Sequence, residues 1–261
     1  MQWQQRFEVG LATCVLLGCA GRGSESTPAK AASAGEASLV QQAPEAAPVA
    51  GQVERGALEP GANEPSPPSE PEAQLSPRER DRRGDEHLLA GRFAEAMADF
   101  DAYLEAEPEA DPYHWRRGIA CYYAERYEEG AAQFERHRLV NPADVENAAW
   151  HYLCRARLSG VESAREGLLP VGFDARAPLM RVYELYAGRS TPEEVLAEAE
   201  AQPEQRRASA RFYAHLYLGL FHEVGGEAER ARHHLELAAT TYASPGYMGD
   251  VARMHAALLA R

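Results

Sequence analysis

Apolar and small residues along positions 80 to 142 recur twice over, once at helical spacing and once at a longer period of 34. Gly84 falls on Gly118, Ala90 on Ala124, Phe93 on Tyr127, Glu95 on Glu129, Phe100 on Phe134 and Pro108 on Pro142. Within each unit the two aromatic positions are seven apart, which puts them on one face over two helical turns. The spacing predicts paired helices: 77–90 with 93–106, then 112–125 with 127–140. Gly84 and Gly118 lie midway along the first helix of each pair, where the absence of a side chain lets the second helix approach. Ala96 and Gly130 serve the same purpose on the second helices. Pro108 and Pro142 end those second helices. Asp111 is expected to cap the next helix, with Pro112 at its first position.

A period of 34 with small, aromatic and proline positions in this order is the tetratricopeptide signature. Such a unit cannot bury its apolar face alone and stacks on its neighbours. The pattern predicts a degenerate third unit over 142–158 and 161–168, with Tyr152 where the glycine would fall. A further helix is expected over 175–187, stopped by Gly188. Thr191 and Glu194 form a capping box that opens a short helix to Ala201. A final unit carries Leu218, Gly219, Gly226, Ala231, Leu235 and Ala238 at the repeat positions, and a closing helix is expected over 247–259. No apolar alternation of strand length is present. The expected fold class is all-α, a superhelix of stacked helix hairpins over 77–261.

Residues 1–18 read differently. Arg6 precedes a short apolar run, Val9 to Leu17, that is too short to span a bilayer. It ends Leu16-Leu17-Gly18-Cys19, which matches the bacterial lipobox. The match implies cleavage before Cys19 and lipidation of its thiol and new amino group, an anchor that a single acyl chain would not provide. Ala20, where enteric bacteria use Asp to retain such proteins in the inner membrane, favours the outer membrane. Residues 19–76 then form a Pro-, Ala- and Glu-rich tether. Positions 20–76 hold 8 of the 17 prolines and almost no large apolar residues, too little apolar surface to offset chain entropy. A coil of that length spans roughly 40 Å.

Charge narrows the partners. The chain carries a net −13, of which the tether accounts for −5 and the repeat region for −8. An acidic domain argues against phosphate backbones as the main ligand and against adsorption to anionic lipid. No nucleic acid is expected, and the lipid on Cys19 is the expected membrane contact.

From Trp115 onward the chain resembles the NlpI-type lipoproteins of the bacterial envelope. Arg117-Gly118-Ile119-Ala120 with Tyr122-Tyr123, then Trp150, Tyr152 and Leu153, carry the likeness. Glu184, Tyr186 and Gly188, Tyr217-Leu218-Gly219 and Ala257-Leu258-Leu259 extend it. The resemblance implies a dimeric adaptor that brings murein hydrolases together with partner proteins or with a periplasmic protease. This chain departs in its longer tether and fewer early helices, the region on which dimerisation and protease docking could depend. The alternative is a pilotin-like assembly factor for an outer-membrane secretin.

The inner helix faces carry Trp115, Ile119 and Tyr122, then Ala149, Leu153 and Ala156, then Leu216, Leu220 and Glu223. Of these, Trp115, Ile119, Tyr122, Leu153 and Leu216 are the candidate partner-binding residues, either exposed anchors for a partner or packing against a neighbouring helix. Arg116 and Arg117 could meet an acidic partner or lie on a solvated face. Cys121 and Cys154, 33 apart, are either a disulfide or two small core residues. His215 and His222 share a face, but nothing completes a metal set. No nucleophile elbow, phosphate loop or dinucleotide fingerprint appears, so neither an enzyme nor a cofactor is expected.

Overall fold

The structure, a computed structural model, describes residues 75–260. Residues 1–74, on which the expected export signal, the expected lipidation at Cys19 and nearly all of the expected tether fall, lie outside them. Among the described residues there are helices and turns and no strand. The order is α1 (Pro77–Leu89), α2 (Phe93–Ala106), a 3-10 turn (Pro108–Tyr113), α3 (Trp115–Tyr123), α4 (Tyr127–Val140), α5 (Val145–Ser159), α6 (Val161–Glu166), α7 (Leu179–Tyr186), α8 (Pro192–Glu200), α9 (Glu204–Val224), α10 (Ala228–Ala239) and α11 (Tyr247–Leu259). Consecutive helices pack as neighbouring pairs, the arrangement of a helical repeat.

The repeat glycines do what their spacing requires. A Cβ on Gly84 would lie 2.5 Å from the Phe100 ring, and one on Gly118 would lie 2.6 Å from the Phe134 ring. Gly219 stands in the same relation to Leu235, at 2.5 Å. Each aromatic or leucine of a second helix therefore seats on the bare backbone of the first. The capping boxes Ser76/Glu79 and Thr191/Glu194 both form.

Three helices begin later than the spacing predicts. α3 starts at Trp115, because Pro112 belongs to the 3-10 turn and His114, not Asp111, is the cap: its Nδ1 accepts from the Arg117 N–H at 3.1 Å. α5 starts at Val145, capped by Asp144, whose carboxylate accepts from the Glu146 N–H at 3.1 Å. α7 starts at Leu179, since the proline ring of Pro178 disfavours helical backbone at Ala177.

Gly91 closes the turn of the first hairpin in the left-handed region, at φ +75°. The equivalent position in the second hairpin is Glu125, at φ +58°. A side chain there costs energy that glycine avoids. Glu125→Gly is expected to raise stability by about 0.5–1 kcal/mol, less than the full strain because glycine also loosens the unfolded chain. Urea melts of Glu125→Gly and Glu125→Ala check this. Only the glycine should gain, and equal gains would assign the effect to the lost carboxylate instead.

Candidate functional site

The first helices of the hairpins, α3, α5 and α9, are more deeply buried than their apolar faces alone suggest. Eight consecutive residues of α5, Asn147 to Cys154, are buried, as are seven of α9, Ala214 to Leu220. A helix buried on all sides is flanked on all sides. α5 packs on α3, α4, α6, α7 and α9.

α11 turns back across the stack. The Tyr247 ring meets Trp115 edge-on at 5.1 Å, and its hydroxyl donates to Asp85 Oδ1 of α1 at 3.0 Å. His255 Nδ1 lies 2.8 Å from the Tyr123 hydroxyl of α3, and its Nε2 lies 3.1 Å from Glu223 Oε2 of α9. Glu223 also takes a bond from Arg157 of α5 at 2.8 Å. Burial acts to raise the Glu223 carboxyl, but His255 and Arg157 together hold it below the usual range. The chain's own last helix thus lies against Trp115 and Tyr123 of α3 and is pinned to α1 and α9.

A cleft of about 360 Å³ remains. Its walls include Trp115 and Ile119 of α3, Asn147 and Trp150 of α5, Tyr213 of α9 and Tyr247 of α11. Two atoms of wall residues, the Trp150 indole Nε1 and Asn147 Oδ1, are buried without a hydrogen-bond partner.

Arg176, also in the cleft wall, gathers three carboxylates, two of which, Asp144 and Glu146, line the cleft with it. It donates to Asp174 at 2.6 and 3.0 Å, to Asp144 at 2.7 Å, and to Glu146 in a further short contact. The Tyr217 hydroxyl donates to the other Glu146 oxygen at 2.6 Å. Burial nevertheless pushes the Glu146 carboxyl up to about 6, against the pull of Arg176 and Tyr217. Sequence spacing shows nothing of this cluster, because its members come from α5, α9 and the two connections preceding α5 and α7.

Of the candidate binding residues, Trp115 and Ile119 line the cleft, Trp115 half-buried and Ile119 fully buried. Tyr122, Leu153 and Leu216 are buried away from the cleft lining. The expectation of exposed anchors is corrected for Ile119, Tyr122, Leu153 and Leu216: neighbouring helices cover them. Tyr122 meets Trp150 edge-on at 5.4 Å and accepts from Arg157 at 3.2 Å. Ala149, Ala156 and Leu220 are buried as well. The uncharged runs 147–154 and 212–221 were the available signal, since a helix without a charged face has no side for solvent.

Arg116 pairs with Asp81 and Asp85, and Arg117 with Asp101 and Glu129, so both are committed within the chain. Cys121 and Cys154 are free, buried thiols that both pack against the bare face of Gly130. Burial pushes the Cys121 thiol up to about 11 and raises Cys154 too, the state of inert core cysteines. His215 meets His234 of α10, Nδ1 to Nδ1 at 2.9 Å, and burial pushes both down to about 4. Among the described residues no group of three His, Cys, Asp or Glu could hold a metal ion, and no helix is long and apolar enough to cross a membrane.

No family model matches the chain. A protein from Bos taurus described as Protein SGT1 homolog is 30% identical over 74 residues, 28% of this chain. The match covers 22% of that protein's length, so the chain spans well under two thirds of it. The match and the helix hairpins together fit a tetratricopeptide-like fold.

Proposed function

We propose that the chain is a protein–protein adaptor of the bacterial envelope, held to the outer membrane by lipid on Cys19, and that it gathers murein hydrolases with a partner protein or a periplasmic protease. A tetratricopeptide-like fold supports protein–protein interaction in general. The envelope setting rests on the lipobox at Leu16 to Cys19 and on the NlpI-type resemblance. The observation that carries the binding half is the cleft: a half-buried tryptophan, a second tryptophan and two tyrosines converge there beside a cluster of charges. Aromatic side chains in a partly desolvated pocket are the usual anchors of a bound partner.

The test is affinity purification of the lipidated protein from crosslinked envelopes, native and Trp115→Ala in parallel, with mass spectrometry of what is recovered. Hydrolases or a protease are expected with the native chain, and about 30-fold less with the variant, the loss typical of a removed anchor. Circular dichroism checks that the variant folds, because Trp115 also touches Tyr247. Recovery of a secretin would overturn the hydrolase reading in favour of an assembly factor. Equal recovery by both chains would remove the cleft from the binding surface.

A further inference from the structure

Three connections between hairpins run side by side along one edge of the stack. Gln133 of α4 donates to the Asp111 carbonyl at 2.6 Å, and His137 Nδ1 lies 2.9 Å from the Pro112 carbonyl, fixing the 3-10 turn against α4. The Gly172 N–H donates to the Pro142 carbonyl at 2.9 Å, and the Val145 N–H to Asp174 at 3.2 Å, fixing the connection before α7 against the one before α5. The edge is therefore held by hydrogen bonds along its length.

It is also where the exposed apolar side chains are. Five large apolar residues of the described chain stand exposed, and four of them are here: Phe173 at 79%, Leu139 at 74%, Tyr113 at 65% and Val140 at 37%. Scattered singly they would need no explanation. Carried on segments that hydrogen bonds tie together, they give this edge most of the exposed large apolar side chains of the described residues, and exposed apolar surface rimmed by charge is what marks an interaction site.

The charge around the patch selects its partner. Residues 105–113, 136–146 and 172–176 hold seven carboxylates and three guanidiniums. Arg136 is committed to Asp111, and Arg176 to Asp144, Glu146 and Asp174, while the part-buried Arg138 makes no ion pair among the described residues; seven carboxylates against three guanidiniums leave these segments a net −4. Glu105, Glu107 and Glu109 are exposed and make no ion pair among the described residues. A two-fold contact between copies of this edge would set like charges against each other. An anionic lipid surface is disfavoured for the same reason.

We propose that this edge is a docking surface for a protein that presents a basic rim around an apolar depression. Phe173 and Leu139 enter the depression, and Glu105, Glu107 and Glu109 face the rim. The proposal rests on the adaptor reading for its biological sense; the edge adjoins the cleft, whose walls include His137, Asn141, Asp144 and Arg176, but its exposed side chains Phe173, Leu139, Tyr113 and Val140 are not among the residues that line the cleft.

The experiment places the photocrosslinking residue p-benzoylphenylalanine at position 173 of the full chain, in the cells that make it, with the same probe at Leu158 as a control. A discrete crosslinked protein, basic by its identified sequence and absent from the control, is expected. Its yield should fall about fivefold in roughly 0.5 M salt, where exposed charges are screened. It should fall similarly with Leu139→Ser and with Glu105→Gln, Glu107→Gln and Glu109→Gln combined. These are surface positions, and circular dichroism confirms folding. A crosslink to a second copy, to lipid or to an acidic protein overturns the proposal, as does a salt-insensitive crosslink or none. Adding Trp115→Ala separates the two readings. A crosslink that survives it establishes the edge independently of the cleft. A partner captured through Trp115 without a crosslink at 173 leaves the adaptor and removes the edge.

Discussion

Phe134→Ala is expected to cost about 4 kcal/mol of folding stability, the loss typical of a buried aromatic truncated to a methyl group. Phe134 is buried between α3 and α4, its ring against the bare backbone of Gly118. No side chain stands on Gly118 to close the gap, so most of the cavity should persist. The cost depends on that glycine, which gives the prediction a sharper form. Gly118→Ala alone should destabilise by about 1–2 kcal/mol, because its Cβ would sit 2.6 Å from a ring that is itself packed. In the Phe134→Ala background the ring is gone, and the same substitution should stabilise by about 1 kcal/mol through helix propensity. Urea denaturation of the four proteins forms a double-mutant cycle. A Gly118→Ala effect of the same sign in both backgrounds would refute the seating of ring on glycine as the source of the repeat pattern.

Arg176→Met should remove about 3 kcal/mol at about pH 7.5 and less than half of that at about pH 4.5. The guanidinium is the cation shared by Asp144, Glu146 and Asp174, and the Asp174 side chain is 4% exposed. Removing one partner of such a set leaves charges without compensation. The guanidinium itself is 43% exposed, which keeps the estimate toward the lower end.

The pH dependence follows from the signs. Burial would raise the Asp174 carboxyl, but bonds from Arg176 and two backbone N–H groups hold it below its ordinary 3.8. Its contribution is present above that value and is lost as pH falls through the lower folded value. Glu146 behaves oppositely. Its carboxyl moves from 4.5 up to about 6, so its contribution is present below 4.5 and lost as pH rises through about 6. Without Arg176 the Asp174 and Glu146 carboxylates should take up protons more readily, and acid should rescue the variant. Denaturation midpoints at the two pH values measure this. An undiminished loss at the lower pH would mean that Arg176 stabilises by packing rather than by charge.

Much of the helical scaffold was legible from spacing. α2, α4 and α11 begin and end where the periodicity places them, and Gly84, Gly118 and Gly219 meet the residues that the repeat assigns to them. These features depend on residues within one hairpin, where sequence distance and spatial distance nearly coincide. The late starts of α3, α5 and α7 were harder to read, because a proline can open a helix or sit in the turn before it. At Pro112 the choice fell to His114, whose Nδ1 caps α3 while its Nε2 is held by Asp81 of α1 at 2.8 Å.

Of the sequence's candidate residues only Trp115 is a partly exposed wall of the cleft; Ile119 backs it from the core. Apolar residues on an inner helix face suit an open groove and a covered one equally well, and local pattern does not distinguish the two. The covering of Tyr122 comes from Trp150 and Arg157 of the next hairpin, while the closing of α1 and α3 depends on α11, far along the chain. Tyr247 reaches Asp85 across 162 residues, and His255 reaches Tyr123 across 132. The same holds for Arg176, whose partners Asp144 and Glu146 are 32 and 30 residues away.

The sequence by itself determined the helices, their pairing and the glycine seats, because hydrogen bonds within a helix and contacts within a hairpin are local. Only the tertiary structure decided which inner faces remain open, where the carboxylates share a cation and how the exposed apolar residues gather on one edge. Those outcomes depend on how the helices stack and on the return of α11, and the free energy of such distant contacts is set by geometry that no local pattern encodes.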